Sequence, residues 1–189
     1  MDALNIALTV AGLVLLSVLL IYNHLVRSRM RTLEAWSGID VQLKRRADLV
    51  PNLVETVKGY AAHERATFEE VTQARSAVHQ ARGPTQATDA NAKLTGALGR
   101  LFAVAEAYPV LRASENFLQL QNELFDIEEK IAYARQFYNR NVLDYNTRLN
   151  SLPGILVARL FGFQPAVFFE AEEPARAAVK LEFGGQERT

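Results

Sequence analysis

The chain contains no cysteine among its 189 residues. That excludes a disulfide framework, a lipid-modified cysteine near the N-terminus and a thiolate metal site. An excess of charge of either sign is equally missing, because 21 Lys and Arg balance 21 Asp and Glu. Setting aside Asp2, Arg27, Arg29 and Arg31 leaves 18 basic and 20 acidic residues, a mildly acidic balance. Sequence-independent nucleic-acid binding needs a basic field, so no nucleic acid is expected as a partner. Glycine and proline are sparse before Gly83, which favours long helices over many short strands. Histidine occurs three times. His63-Glu64 opens like a zinc-protease helix, but the second histidine that motif needs is Thr67 here. The Glu-x-x-His pairs of di-iron bundles are missing too, since Tyr60 precedes His63 and Ser76 precedes His79 at that spacing. There is no glycine-rich phosphate loop and no Gly-x-Ser-x-Gly elbow. These absences accumulate: no catalytic residue, metal ligand or cofactor is expected, and His63 reads as a surface polar group.

What is present begins at the N-terminus. From Ala3 through Val26 the only titratable side chains are Tyr22 and His24, and Arg27, Arg29 and Arg31 follow on alternate positions. About 20 helical residues rising 1.5 Å each span about 30 Å, the thickness of a bilayer's hydrocarbon core. The run has neither a basic leader before it nor a small-x-small site after it, so an uncleaved anchor over residues 1–26 is expected rather than a signal peptide. A buried core helix is the alternative, and core helices seldom run this long without a polar face. The three arginines set the expected topology: Met1 outside, everything after Arg27 in the cytoplasm, and a single pass through the membrane.

Beyond the anchor, residues 27–163 suit one bundle of long helices. An apolar row at 3-4 spacing runs Leu33, Trp36, Asp40, Leu43, Ala47, Val50, Val54, Val57, Ala61, Glu64, Phe68, Val71, Arg75, Val78, widened by Ile39 and Leu53. Its phase is preserved through Pro51. Either one very long helix is kinked there, or Asp48 caps a new helix with Pro51 in its first turn; the preserved phase favours the kinked helix. Residues 83–88 read as a loop, followed by a shorter helix through about Tyr108. A third stretch, Val110 to Asn150, carries the seam Phe117, Leu120, Leu124, Ile127, Ile131, Ala134, Tyr138, then Val142, Tyr145 and Leu149. It is a plausible antiparallel partner for the first. Asn150 to Gly154 stops it, and a short apolar helix runs from Ile155 to Phe161. Residues 164–189 change character and read as an extended tail: extended chain or a short strand, including Val179–Phe183, that packs on the bundle or pairs with another copy, and a disordered end over Gly184–Thr189. The fold class is therefore all-α.

Several residues admit more than one role. Lys44-Arg45-Arg46 is the densest charge cluster, read first as a salt-bridged helix face through Asp40–Lys44 and Lys44–Asp48 at i,i+4, and otherwise as a contact between neighbouring copies. A lipid-binding patch is disfavoured, because about 25 Å of helix separates the cluster from Arg27. Asp40, Glu64 and Arg75 interrupt the apolar row and must reach solvent or meet a partner, since an unpaired buried charge is costly. A polar group on a seam can also fix register and oligomer state, a role open to Asp40. Tyr138-Asn139 and Tyr145-Asn146 repeat at one heptad, which puts both tyrosines on one stripe and both asparagines beside it; a core edge is the first reading and a protein interface the second. Trp36 reads as a packing anchor.

The blocks Ala35-Trp36-Ser37-Gly38-Ile39-Asp40 through Lys44-Arg45-Arg46, Pro51-Asn52-Leu53-Val54 and Lys58-Gly59-Tyr60-Ala61 resemble the signature of the LemA family. The later blocks Tyr108-Pro109, Leu111-Arg112-Ala113-Ser114, Glu128-Glu129-Lys130-Ile131-Ala132, Tyr138-Asn139, Tyr145-Asn146 and Phe161-Gly162-Phe163 continue the likeness. The resemblance implies an N-terminally anchored antiparallel bundle without established enzymatic activity. It also implies two settings: beside HtpX-type membrane metalloproteases, and in the shaping of bacterial organelle membranes. Anchor, seams and missing catalytic motifs together lead to the expectation of a non-enzymatic membrane scaffold that forms homo-oligomers. An adaptor or regulator of a membrane metalloprotease is the alternative.

Overall fold

The structure, a computed structural model, describes residues 2–169. The extended chain or short strand expected over Val179–Phe183 and the end expected to be disordered lie outside the described residues. Among the described residues six helices follow in order: α1 (Ala3–Lys58), α2 (Arg65–Gln80), α3 (Gly83–Glu106), α4 (Pro109–Arg112), α5 (Glu115–Asn150) and α6 (Gly154–Phe161). The fold is all-α, an N-terminal apolar helix continuing into a helical bundle.

The dominant packing is α1 against α5. They run antiparallel, with Arg46 reaching Glu128, Trp36 against Tyr138 and Thr32 bonded to the Asn141 carbonyl. Beside them α2 and α3 form a hairpin. Arg75 of α2 meets Ala47, His79 meets Asp48, and Arg100 of α3 pairs with Glu70 of α2 through a 2.7 Å Nε–Oε2 bond and a second contact. The chain thus passes up, down, up and down, the simplest wiring of a four-helix bundle with short turns.

Three expected boundaries are corrected, and in the simplest the stretch expected from Val110 to Asn150 divides at Ala113-Ser114 into α4 and α5. The first helix runs through Pro51, as the preserved phase favours, but it does not reach Val78: α1 stops at Lys58 and breaks at Gly59, so α2 is a separate helix. Pro51 has no N–H to give the Ala47 carbonyl four residues back. Arg75 Nε supplies that bond from α2 at 3.1 Å. Residues 83–88 are not a loop. Gly83 turns the chain at φ +75°, Pro84 sits in the first helical turn where its missing N–H costs nothing, and Gln86 Oε1 accepts the Arg82 backbone N–H at 2.9 Å.

The seam of α5 follows the sequence reading: Phe117, Leu124, Ile127, Ile131, Tyr138, Val142, Tyr145 and Leu149 are buried, with Leu120 and Ala134 partly so. On α1 the upper row holds at Leu43, Ala47, Val50 and Val57, but the lower row is shifted. Leu33 is exposed, and the buried positions are Leu25, Ser28, Thr32, Ala35 and Ile39. The large α5 residues Tyr138, Val142 and Tyr145 occupy the space there, so small side chains on α1 let the two helices close up.

Candidate functional site

Four features of the bundle could carry function, and the basic cluster is the first. Its three residues separate completely. Arg45 points to solvent, Lys44 pairs with Asp40 at 2.6 Å, and Arg46 is buried. From Arg46, Nη1 donates to Asn91 Oδ1 at 2.8 Å and Thr95 Oγ1 at 2.9 Å on α3, and Nη2 lies 3.2 Å from Glu128 Oε2 on α5. One guanidinium therefore ties three helices, which its planar fork of donors allows and a lysine ammonium does not. Asp48 pairs with His79 at 3.4 Å rather than with Lys44. Asp40 stands beside the seam, half-buried, because Ile39 and Leu43 take the buried positions around it.

A second feature is the seat of the chain after α6. Gly162 adopts φ +69°, the left-handed cap that ends a helix, and the Phe163 N–H bonds back to the Ala158 carbonyl at 3.0 Å. The chain then returns along α5. Tyr145 Oη donates to the Gln164 carbonyl at 2.9 Å and Tyr138 Oη to the Val167 carbonyl at 2.7 Å. Asn146 grips both backbone groups of Ala166, accepting its N–H at 2.9 Å and donating to its carbonyl at 2.9 Å. Asn139 does the same to Phe169, at 2.9 and 3.0 Å. Seven helical residues rise about 10.5 Å and three extended residues cover about 10 Å, so one heptad on α5 matches three residues of tail. Phe169 is buried beside Trp36, ring centroids 5.9 Å apart, and Trp36 also meets Tyr138 edge-on at 5.7 Å. Burial raises the pKa of both phenols above the ordinary 10; at Tyr145 the Arg29 guanidinium works in the opposite direction.

A third feature is a groove of about 960 Å³ lined by α1 and α5. Ala35, Gly38 and Ala134 form its small-residue floor, and Tyr133 and Phe137 stand on its wall, 74% and 53% exposed. Gln42, also on the groove, has a buried Oε1 without a hydrogen-bond partner.

The fourth is the N-terminal part of α1. It is long and apolar enough to cross a membrane, and residues 2–17 touch nothing that buries them. Arg27, Arg29 and Arg31 lie exposed on the same unbroken helix. His63 sits exposed in the turn between α1 and α2. Among the described residues no group of three or more His, Asp or Glu could hold a metal ion.

The paired role of Asn139 and Asn146 was within reach of the sequence through the heptad repeat of Tyr-Asn, though not what the repeat holds. Asn91 and Thr95, single polar residues on an otherwise apolar helix face, gave no separate signal.

Comparison with known proteins places these features in a family. The sequence model of the LemA family matches residues 35–183. The chain is similar to magnetosome protein MamQ 2 of Paramagnetospirillum magneticum, 28% identical over 84% of this chain and 68% of the relative. It is 27% identical to magnetosome protein MamQ of Magnetospirillum gryphiswaldense, over 91% and 73%. It is 26% identical to protein LemA of Metamycoplasma hominis, over 83% and 72%.

Proposed function

The chain belongs to the LemA family, and from that premise we propose that it is a membrane-anchored, non-enzymatic scaffold whose copies associate side by side. One observation carries this reading. The apolar half of α1 passes without a break into the helix that forms the main seam of the bundle. A 56-residue helix is about 84 Å long. Its apolar span and its bundle therefore have no linker between them, and every copy in one membrane presents the bundle in the same orientation. Fixed orientation and confinement raise the effective concentration of any lateral contact, so weak surfaces suffice for assembly. The α1–α5 groove is the surface we assign to that contact, because its exposed aromatics and small-residue floor suit a helix from a second copy. Arg27, Arg29 and Arg31 on the C-terminal side of the span support a cytoplasmic bundle by the positive-inside rule. The non-enzymatic part of the reading rests on the sequence, which carries no catalytic motif.

The test is the mass distribution of full-length protein extracted gently from membranes. A discrete oligomer that shrinks when Phe137 is replaced by Lys supports the scaffold and its groove. A monomer, or a stoichiometric complex with a membrane metalloprotease, overturns self-assembly as the main role and makes the chain an adaptor.

A further inference from the structure

The short helix α6 leaves most of its apolar surface uncovered. Gly154, Val157 and Ala158 are buried, but Leu156, Leu160 and Phe161 are 64%, 74% and 51% exposed, and Leu152 just before the helix is 79% exposed. Leu156 and Leu160 are four residues apart on α6 and so lie along one face. Arg159 is the one charged residue in α6. An apolar face of this kind on a domain end in water is unusual unless something covers it.

Its position says what covers it. α6 packs on α1 at Val18, Ile21 and Tyr22, and the Tyr22 ring lies 4.8 Å from Phe161 and 5.7 Å from Phe163. These α1 residues belong to the apolar span, not to the stretch beyond the arginines. Tyr22 is five residues, about 7.5 Å of helix, before Arg27. Amphipathic helices that lie in a membrane surface sink about 5–10 Å into the boundary between headgroups and acyl chains. If Arg27 marks the headgroup level, α6 sits within that depth, and its open face continues the exposed apolar surface of α1 from Leu4 to Leu20.

We propose that α6 is a second membrane-contacting element: it lies in the cytoplasmic leaflet against the end of the span, with Leu152, Leu156, Leu160 and Phe161 among the acyl chains. The inference rests on α1 being a membrane anchor. It adds that the bundle is seated in the bilayer surface rather than held above it. Arg159, next to the buried face, reaches the headgroup layer from this position as a long basic side chain at an interface does. The close turn ahead of α6 fixes the seat, since a Cβ on Gly154 would collide with the Arg148 carbonyl oxygen.

The cysteine-free sequence makes the test direct. Full-length single-cysteine variants Leu16→Cys in the span, Leu160→Cys and Leu156→Cys on α6, and Glu69→Cys on the far hairpin all change exposed or partly exposed positions. Each is labelled with an environment-sensitive fluorophore in phosphatidylcholine–phosphatidylglycerol vesicles, and lipids spin-labelled on the acyl chain are added as quenchers. The expected result is loss of emission at Leu16, Leu160 and Leu156 with none at Glu69. Quenching at Leu16 while both α6 labels behave like Glu69 leaves the anchor intact and overturns the seat. Blue-shifted but unquenched α6 labels put this face against protein and overturn it as well. No quenching at Leu16 removes the anchor itself and the inference with it.

Discussion

At the scale of single residues, the same polar side chains can serve as core members and as clamps. Asn139 and Asn146 each satisfy both backbone groups of one tail residue. Replacing either by Ala leaves an N–H and a carbonyl on the tail without partners, at a cost of about 1–3 kcal/mol. The expected outcome is a lowered denaturation midpoint and faster proteolysis near residue 166, with the double variant worse than either single one. The tyrosines add a pH dependence. Burial raises both phenol pKa values in the folded chain, so folded protein holds the phenolic proton more tightly than unfolded protein. Their contribution is complete below pH 10 and is lost as the pH rises through the elevated folded values. Stability measured by urea titration should therefore fall above pH 10, and less steeply in Tyr138→Phe, which cannot ionise.

At the scale of elements, α1 survives Pro51 because another helix completes it. The bond from Arg75 Nε to the Ala47 carbonyl replaces the one that proline removes. In Pro51→Ala the new N–H at position 51 can bond Ala47 directly, and Arg75 becomes dispensable. A double-mutant cycle checks this. Arg75→Met should cost about 1–2 kcal/mol in the native background and measurably less beside Pro51→Ala; equal costs in both would show that the bond carries no coupling. The preserved hydrophobic phase through Pro51 was legible in the sequence. The end of α1 at Gly59 was not, because apolar spacing runs on through Ala61 and Phe68 whether or not the backbone turns between them. Pro84 misled for a related reason: proline ends a helix from within but suits its first turn, and only the backbone at Gly83 distinguishes the two.

At the scale of the whole molecule, one helix forms both the apolar N-terminal span and a side of the bundle, so on the proposed reading orientation in the membrane is a property of the entire chain. In the topology we propose, Arg27, Arg29 and Arg31 hold the C-terminal side in the cytoplasm, and exchanging them for Ser removes that charge. A fraction of molecules should then carry the bundle outside, detected as labelling of Glu69→Cys by a membrane-impermeant thiol reagent in intact cells. The native arginines should leave that site protected.

The sequence by itself determined the all-α class, the apolar N-terminal helix and the seam of α5, because each is written in a periodicity or a length that any packing partner must respect. Tertiary structure alone decided which residues of α1 face α5, since Ser28, Thr32 and Ala35 are buried by the size of what stands opposite them. It also decided the fate of Lys44-Arg45-Arg46, three like charges in a row of which one is buried, one paired on the surface and one left to solvent. Consecutive helical positions point about 100° apart, so a run of equal letters meets unequal surroundings once neighbouring helices arrive.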